Sequence, residues 1–130
     1  MARLLLLLLS ALPISSFAEM YDAEYGRCNK LTTVDIVDCV GKAAKSWDRR
    51  LNESYQALLE RTEAAQQGSL KTAQRQWIKY RDANCQFYAS GSGTIVQVEA
   101  AECMRAMTKA RTCELQSANN MEGRSSLECS

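Results

Sequence analysis

Six cysteines and no histidine decide most of what this chain can become. Cys28, Cys39, Cys85, Cys103, Cys113 and Cys129 form an even set, and all lie downstream of an apolar leader. In an oxidising compartment such a set reads as a disulfide framework, and a small domain with a limited core gains most from such staples. No two are spaced C-x-x-C. Without histidine, the common zinc, thioredoxin-like, Ser-His and Cys-His chemistries lose the residues they need. Three disulfides are expected, with no metal, no cofactor and no catalytic residue. Six cysteines can pair in many ways, so connectivity has to be read from the helices.

Residues 1–18 read as a cleaved signal peptide. Arg3 gives a basic start, Leu4 to Leu9 an apolar run, Pro13 a break and Ser16-Phe17-Ala18 a small-x-small cleavage pattern. The run is too short for a membrane span, so a retained anchor is the weaker alternative. No cysteine follows it closely enough for lipoprotein processing. Residues 19–130 are then one periplasmic or secreted domain without a transmembrane anchor. Cleavage removes Arg3 from 16 basic residues and leaves 15 against 15 acidic ones. A neutral chain is poorly suited to nucleic acid, whose binding is driven by phosphate neutralisation.

The chain is read as organised around an amphipathic stretch, Ala73 to Cys85. At about 100° per residue, Leu70, Ala73, Trp77, Tyr80, Asn84 and Tyr88 share one face, while Lys71, Arg75, Lys79, Asp82 and Gln86 lie opposite. This is expected to be the helix that the others pack against, with Gln74, Arg81 and Asn84 as polar passengers in its apolar arc. Trp47, Trp77, Tyr55, Tyr80 and Tyr88 are read as core, a ligand-stacking platform being the alternative. Replacing a core Trp77 by Ala would destabilise by about 3–5 kcal/mol.

Around that stretch the chain divides into helices and turns. Glu19 to Leu31 has no clear period and reads as an extended lead-in. Thr32 or Thr33 caps a long first helix, with Asp35 in its first turn and Gly41 a bend or break. Its pattern (Val40, Ala44, Trp47, Leu51, Ser54, Tyr55, Leu58) runs to about Gln66. Gln67-Gly68-Ser69 is expected to end it, Gly68 as a left-handed cap and Ser69 capping the central helix. Past Ser90 to Gly93, Thr94 caps a third helix, with Val96, Ala100, Cys103, Met107 and Ala110 inward and Glu102, Arg105, Lys109 and Gln116 outward. Ser117 to Ser130 reads as irregular. The fold class is all-α: a small antiparallel bundle of about three main helices, stapled by disulfides. In that register Cys85 faces Cys103, Cys113 on a flank can hold the tail through Cys129, and Cys28 ties the lead-in to Cys39. Each closed loop is worth about 2–4 kcal/mol.

Chemistry finds little footing. The carboxylate pairs Asp35/Asp38 and Glu99/Glu102 fit exposed helix faces, and an enzyme using two carboxylates is a distant alternative. Arg81 is either a recognition guanidinium or, as favoured by its place in the apolar arc, a clasp to Asp48, Glu114 or a helix-end carbonyl. The sequon Asn52-Glu53-Ser54 falls mid-helix, where chance accounts for it. Contact surfaces are sought instead in the loop Ser90, Gly91, Ser92 and Gly93, small enough to enter a cleft, and in Tyr21 and Tyr25 of the lead-in.

Three blocks carry a resemblance. They are Asp48-x-x-Leu51-Asn52-x-x-Tyr55; Ala73-Gln74-Arg75-x-Trp77-Ile78-x-Tyr80-Arg81-Asp82-x-x-Cys85; and Cys103-x-x-x-x-Thr108-x-x-Arg111-x-x-Glu114-Leu115. Order and spacing over roughly Cys28 to Gln116 resemble the LprI-type lysozyme-inhibitor family, small helical exported domains of bacterial envelopes. Cys113 and Cys129 are additional to the family's usual pattern. The resemblance implies a protein that binds lysozyme and blocks peptidoglycan hydrolysis without chemistry of its own. An envelope interaction protein with another partner is the alternative. The neutral chain departs from the acidity that would steer it toward basic lysozymes.

Overall fold

The computed structural model describes residues 19–29, 32–120 and 129. The expected signal peptide and most of the C-terminal tail lie outside these residues. Four helices follow in order: α1 (Ala23–Cys28), α2 (Thr33–Arg61), α3 (Ala64–Ala89) and α4 (Ile95–Asn119). The fold is the all-α, disulfide-stapled bundle that the periodicity predicts.

Helix ends follow local hydrogen bonding more than glycine. The lead-in is not simply extended: Asp22 caps α1 by accepting from the N–H groups of Glu24 and Tyr25, both at 3.1 Å. A helix this short leaves no periodic trace in sequence. Thr32 caps α2 through a reciprocal box with Asp35. α2 then passes through Gly41 without a break. It ends at Arg61, earlier than expected, because side chains bind its last carbonyls. The Thr62 hydroxyl donates to Leu58 O (2.6 Å), and the Gln67 amide donates to Leu59 O (3.1 Å) and Thr62 O (3.0 Å). Gly68 and Ser69 therefore lie inside α3 and cap nothing. Thr94 precedes α4 without a side-chain capping bond, and α4 continues through Asn119, into the stretch expected to be irregular.

The three long helices run up, down and up, and α4 lies at the centre. It packs along α2 and, on another side, against α3, while α2 and α3 scarcely touch. Direction can be read from the contacts. The Thr112 hydroxyl reaches Trp47 O and the Asn119 amide reaches Ser54 O, so α2 and α4 are parallel. Cys85 bonds Cys103 and Gln74 meets Arg111, so α3 and α4 are antiparallel. Disulfides also join Cys28 to Cys39 and Cys113 to Cys129.

This arrangement corrects the expectation that Ala73 to Cys85 is central. α4 buries Val98, Glu102, Cys103, Arg105, Ala106, Met107, Thr108, Thr112 and Leu115, whereas α3 buries only Gln74 and Cys85. Amphipathic contrast is weak along both α3 and α4 and strong only along α2, so the sequence pattern does not report which helix the others surround. The small side chains of Ala106, Thr108 and Thr112 let neighbours approach α4 closely. Trp47 (4 % exposed) is core, but Trp77 and Tyr88 are half-buried and Tyr80 is 62 % exposed. Glu102 and Arg105, assigned above to the outer face, are both fully buried.

Candidate partner-binding surface

The buried charges anchor the site. Arg105 on α4 donates through Nε to Glu102 Oε2 (2.7 Å) and through Nη2 to Glu102 Oε1 (2.6 Å). Its fork also pairs with Asp22 (2.9 Å) and with Glu24. Lys109 Nζ adds a bond to Asp22 (2.8 Å), the Trp47 indole N–H donates to Glu24 (2.9 Å), and the Tyr21 backbone N–H donates to Glu102 Oε1 (2.8 Å). Burial disfavours the charged guanidinium, but Glu102, Asp22 and Glu24 outweigh it and hold Arg105 charged above its ordinary range. Burial also works to raise the carboxyl of Asp22, yet Lys109, the Tyr25 N–H and Arg105 keep it below the usual value. The network clamps the lead-in and α1 onto α2 and α4. Sequence reading missed it; the i,i+3 spacing of Glu102 and Arg105 was its one trace.

That clamp fixes Met20 and Tyr21 beside the α3–α4 hairpin. Between α3 and α4 runs an open groove of about 490 Å³. Trp77, Tyr80, Asn84 and Tyr88 form its α3 wall, spaced to share one helix face. Cys103, Met107 and Ala110 form its floor, Met20 borders it, and Arg111 and Glu114 lie toward the Trp77 end. The Asn84 amide donates to Met107 Sδ (3.2 Å), joining wall to floor.

At the hairpin end, Ser90, Gly91, Ser92 and Gly93 are all exposed. The turn is nonetheless tightly built. The Ser90 hydroxyl donates to Phe87 O (2.8 Å), and Gly93 has φ +87, where side chains are strained. A Cβ on Gly91 would stand 2.8 Å from Val96 Cγ1. Phe87 (72 % exposed) and Ile95 (55 % exposed) flank the turn.

The motif residues divide between packing and this surface. Leu51, Thr108 and Leu115 are buried, and Tyr55 is half-buried. Asn52 folds back on Asp48 O (3.0 Å) at the exposed side of α2. Gln74 is buried and accepts from Arg111 Nε (3.0 Å), while Arg111 also pairs with Glu114 (2.8 Å). Arg81 forms the clasp: it pairs with Asp82 (2.9 Å) and Asp48 (3.7 Å) and lies over the Trp77 ring. Glu114 is taken by Arg111 and does not reach Arg81. Trp77, Tyr80 and Arg111 come together along the groove, and the Ser90–Gly93 turn stands apart at the hairpin end. Among the described residues no group of His, Cys, Asp and Glu is arranged to hold a metal ion, and no helix is long and apolar enough to cross a membrane.

Two comparisons with known proteins bear on this surface. The model of the family described as "Lysozyme inhibitor LprI" matches residues 27–115, which include both walls of the groove and the hairpin end. The chain is also 30% identical over 104 residues to an uncharacterized protein of Rhizobium meliloti (strain 1021), covering 68% of this chain and 75% of that one. No solved structure matches the chain.

Proposed function

Because the chain belongs to the LprI lysozyme inhibitor family, we propose that it is an exported bacterial protein that binds a lysozyme-type muramidase and blocks peptidoglycan hydrolysis. It would act by occupying the enzyme's cleft, with no chemistry of its own. The three disulfides accord with an oxidising, periplasmic or secreted setting.

The observation that carries the mechanism is the hairpin end. It is narrow and exposed, and Ser90, Gly91, Ser92 and Gly93 are small enough to enter a cleft. Exposed Phe87 and Ile95 supply apolar contact on either side. From Ala83 to Val98 no residue is charged, and the first charges beyond, Asp82 and Glu99, are both acidic. Asp82 is paired with Arg81, so the tip is neutral, and its entry into a cleft would rest on apolar contact rather than on charge.

The test is titration of oxidised residues 19–130 into a lysozyme turbidity assay, with calorimetry alongside. Saturable inhibition near one-to-one supports the reading. The substitution Ser92→Arg should leave the thermal midpoint unchanged and weaken inhibition by about tenfold or more, equivalent to about 1.4 kcal/mol. Inhibition undiminished by that change would refute insertion of the turn. No heat and no inhibition with several lysozyme types would refute the function and favour an envelope interaction protein with another partner.

A further inference from the structure

The groove between α3 and α4 is distinct from the hairpin tip, and its chemistry is unlike the rest of the surface. Charge on α3 is confined to one side. Lys71, Arg75, Lys79 and Asp82 fall on the half of the helix away from the groove, and Arg81 turns toward Asp48 and Asp82. From Leu70 to Tyr88 the groove-side half carries, apart from Arg81, only apolar, aromatic, amide and hydroxyl side chains, among them Gln76, Trp77, Tyr80 and Asn84. On α4 the two charges at the groove, Arg111 and Glu114, cancel as an ion pair.

The polar tips of the aromatic wall are unused. Among the described residues the Trp77 indole N–H and the Tyr80 and Tyr88 hydroxyls make no hydrogen bond. Trp and Tyr that are largely buried normally find a partner, as the Trp47 indole does with Glu24. Trp77 and Tyr88 are half-buried yet unpaired, and both face the same open groove as Tyr80.

We propose that this groove is a binding site for a neutral saccharide. A pyranose has an apolar C–H face and a rim of hydroxyls. The exposed ring of Tyr80 can take the first, beside the edge of Trp77, whose face lies under Arg81, and the polar tips of Trp77, Tyr80 and Tyr88 with Asn84 and the Arg111–Glu114 pair match the second. The volume falls within the range of about 300–1,000 Å³ typical of small-ligand sites. An apolar helix from a partner, or from a second copy of this chain, fits less well. It would bury the indole and phenol donors without partners, which is unfavourable. An anionic ligand is disfavoured because the basic side chains of α3 face away.

The probe is chitotriose, with maltotriose as a second neutral sugar, added to oxidised residues 19–130 without lysozyme. Binding is read from backbone amide shifts and from tryptophan fluorescence, to which the exposed edge of Trp77 responds and buried Trp47 does not. The expected result is a saturable change confined to Trp77, Tyr80, Asn84, Tyr88 and Met107. Tyr80→Ala should weaken it by about tenfold with the thermal midpoint unchanged, since this side chain is mostly exposed. Tyr88→Phe, which removes only the hydroxyl, should weaken it by about threefold. Absence of a saturable change with either sugar, shifts outside the groove, or equal affinity in Tyr80→Ala would overturn the proposal. So would sedimentation showing a dimer whose interface covers Tyr80. Because lysozyme is absent, failure here leaves the inhibitor reading untouched, and failure of inhibition leaves this one untouched.

Discussion

Replacing Arg105 by Met removes the one guanidinium on which three carboxylates converge. Met keeps much of the side-chain volume, so the change tests charge more than packing. Glu102 is fully buried and loses both of its bonds to Arg105, keeping only the Tyr21 N–H. Asp22 retains Lys109 and its capping N–H groups, and Glu24 retains the Trp47 indole. Removing one member of a buried pair leaves its partner uncompensated and costs about 3–5 kcal/mol. That is a large share of the roughly 5–15 kcal/mol that holds a domain folded. At about 4–8 °C per kcal/mol for a domain near this size, the thermal midpoint should fall by at least about 12 °C at pH 7. The pH dependence adds a second, sharper readout. In the unaltered protein the carboxyl of Asp22 sits below its ordinary value. Its contribution is present above the unfolded value, near 3.8, and is lost as pH falls through the lower folded value. In Arg105→Met, buried Glu102 without its cation should instead bind a proton more tightly than in the unfolded chain. Stability of the variant should therefore rise, relative to the unaltered protein, as pH is lowered from 7 toward 5. Urea unfolding followed by circular dichroism at pH 7, 6 and 5 measures both. A loss below about 1 kcal/mol, or a variant with the same pH profile as the parent, would refute the reasoning. Adding Glu102→Leu should recover part of the loss, because the stranded carboxylate is then gone.

Two further outcomes follow from the packing. Removing the Cys85–Cys103 bridge by Cys85→Ala, Cys103→Ala releases a loop of 18 residues, and stability in urea should drop by about 3 kcal/mol; an unchanged midpoint would mean that the unfolded chain is already constrained there. Trp77→Ala should destabilise by about 1–3 kcal/mol, less than the 3–5 kcal/mol of a core tryptophan, because the ring is half-buried against Met107 and the disulfide. A calorimetric loss at the core level would place that ring in the interior and leave no open wall at the groove.

Much of the fold was legible because it is local. Thr32 with Asp35 announces the start of α2, the 3.6-residue pattern announces three long helices, and an even set of six cysteines announces staples. The turn at Thr62 was misplaced because Gln67 and Thr62 satisfy the terminal carbonyls with side chains, which glycine-based rules do not anticipate. On the surface, the exposed Ser90–Gly93 turn could be foreseen from composition. The groove could not, although the stripe Trp77, Tyr80, Asn84 and Tyr88 was identified, because nothing in that stripe says whether a neighbouring helix covers it.

The amino-acid sequence by itself determined the helices, the disulfide-stapled class and the family, since each depends on short-range pattern or spacing. Only the tertiary structure decided which helix lies at the centre, that Glu102 and Arg105 are buried, and that the aromatic stripe of α3 stays open. These are properties of pairs of elements. A helix face is interior or exterior according to what packs on it, and a charge can be buried only where its partners arrive from elsewhere in the chain. Here they come from Asp22 and Glu24, some eighty residues before Arg105, a separation that no local pattern reports.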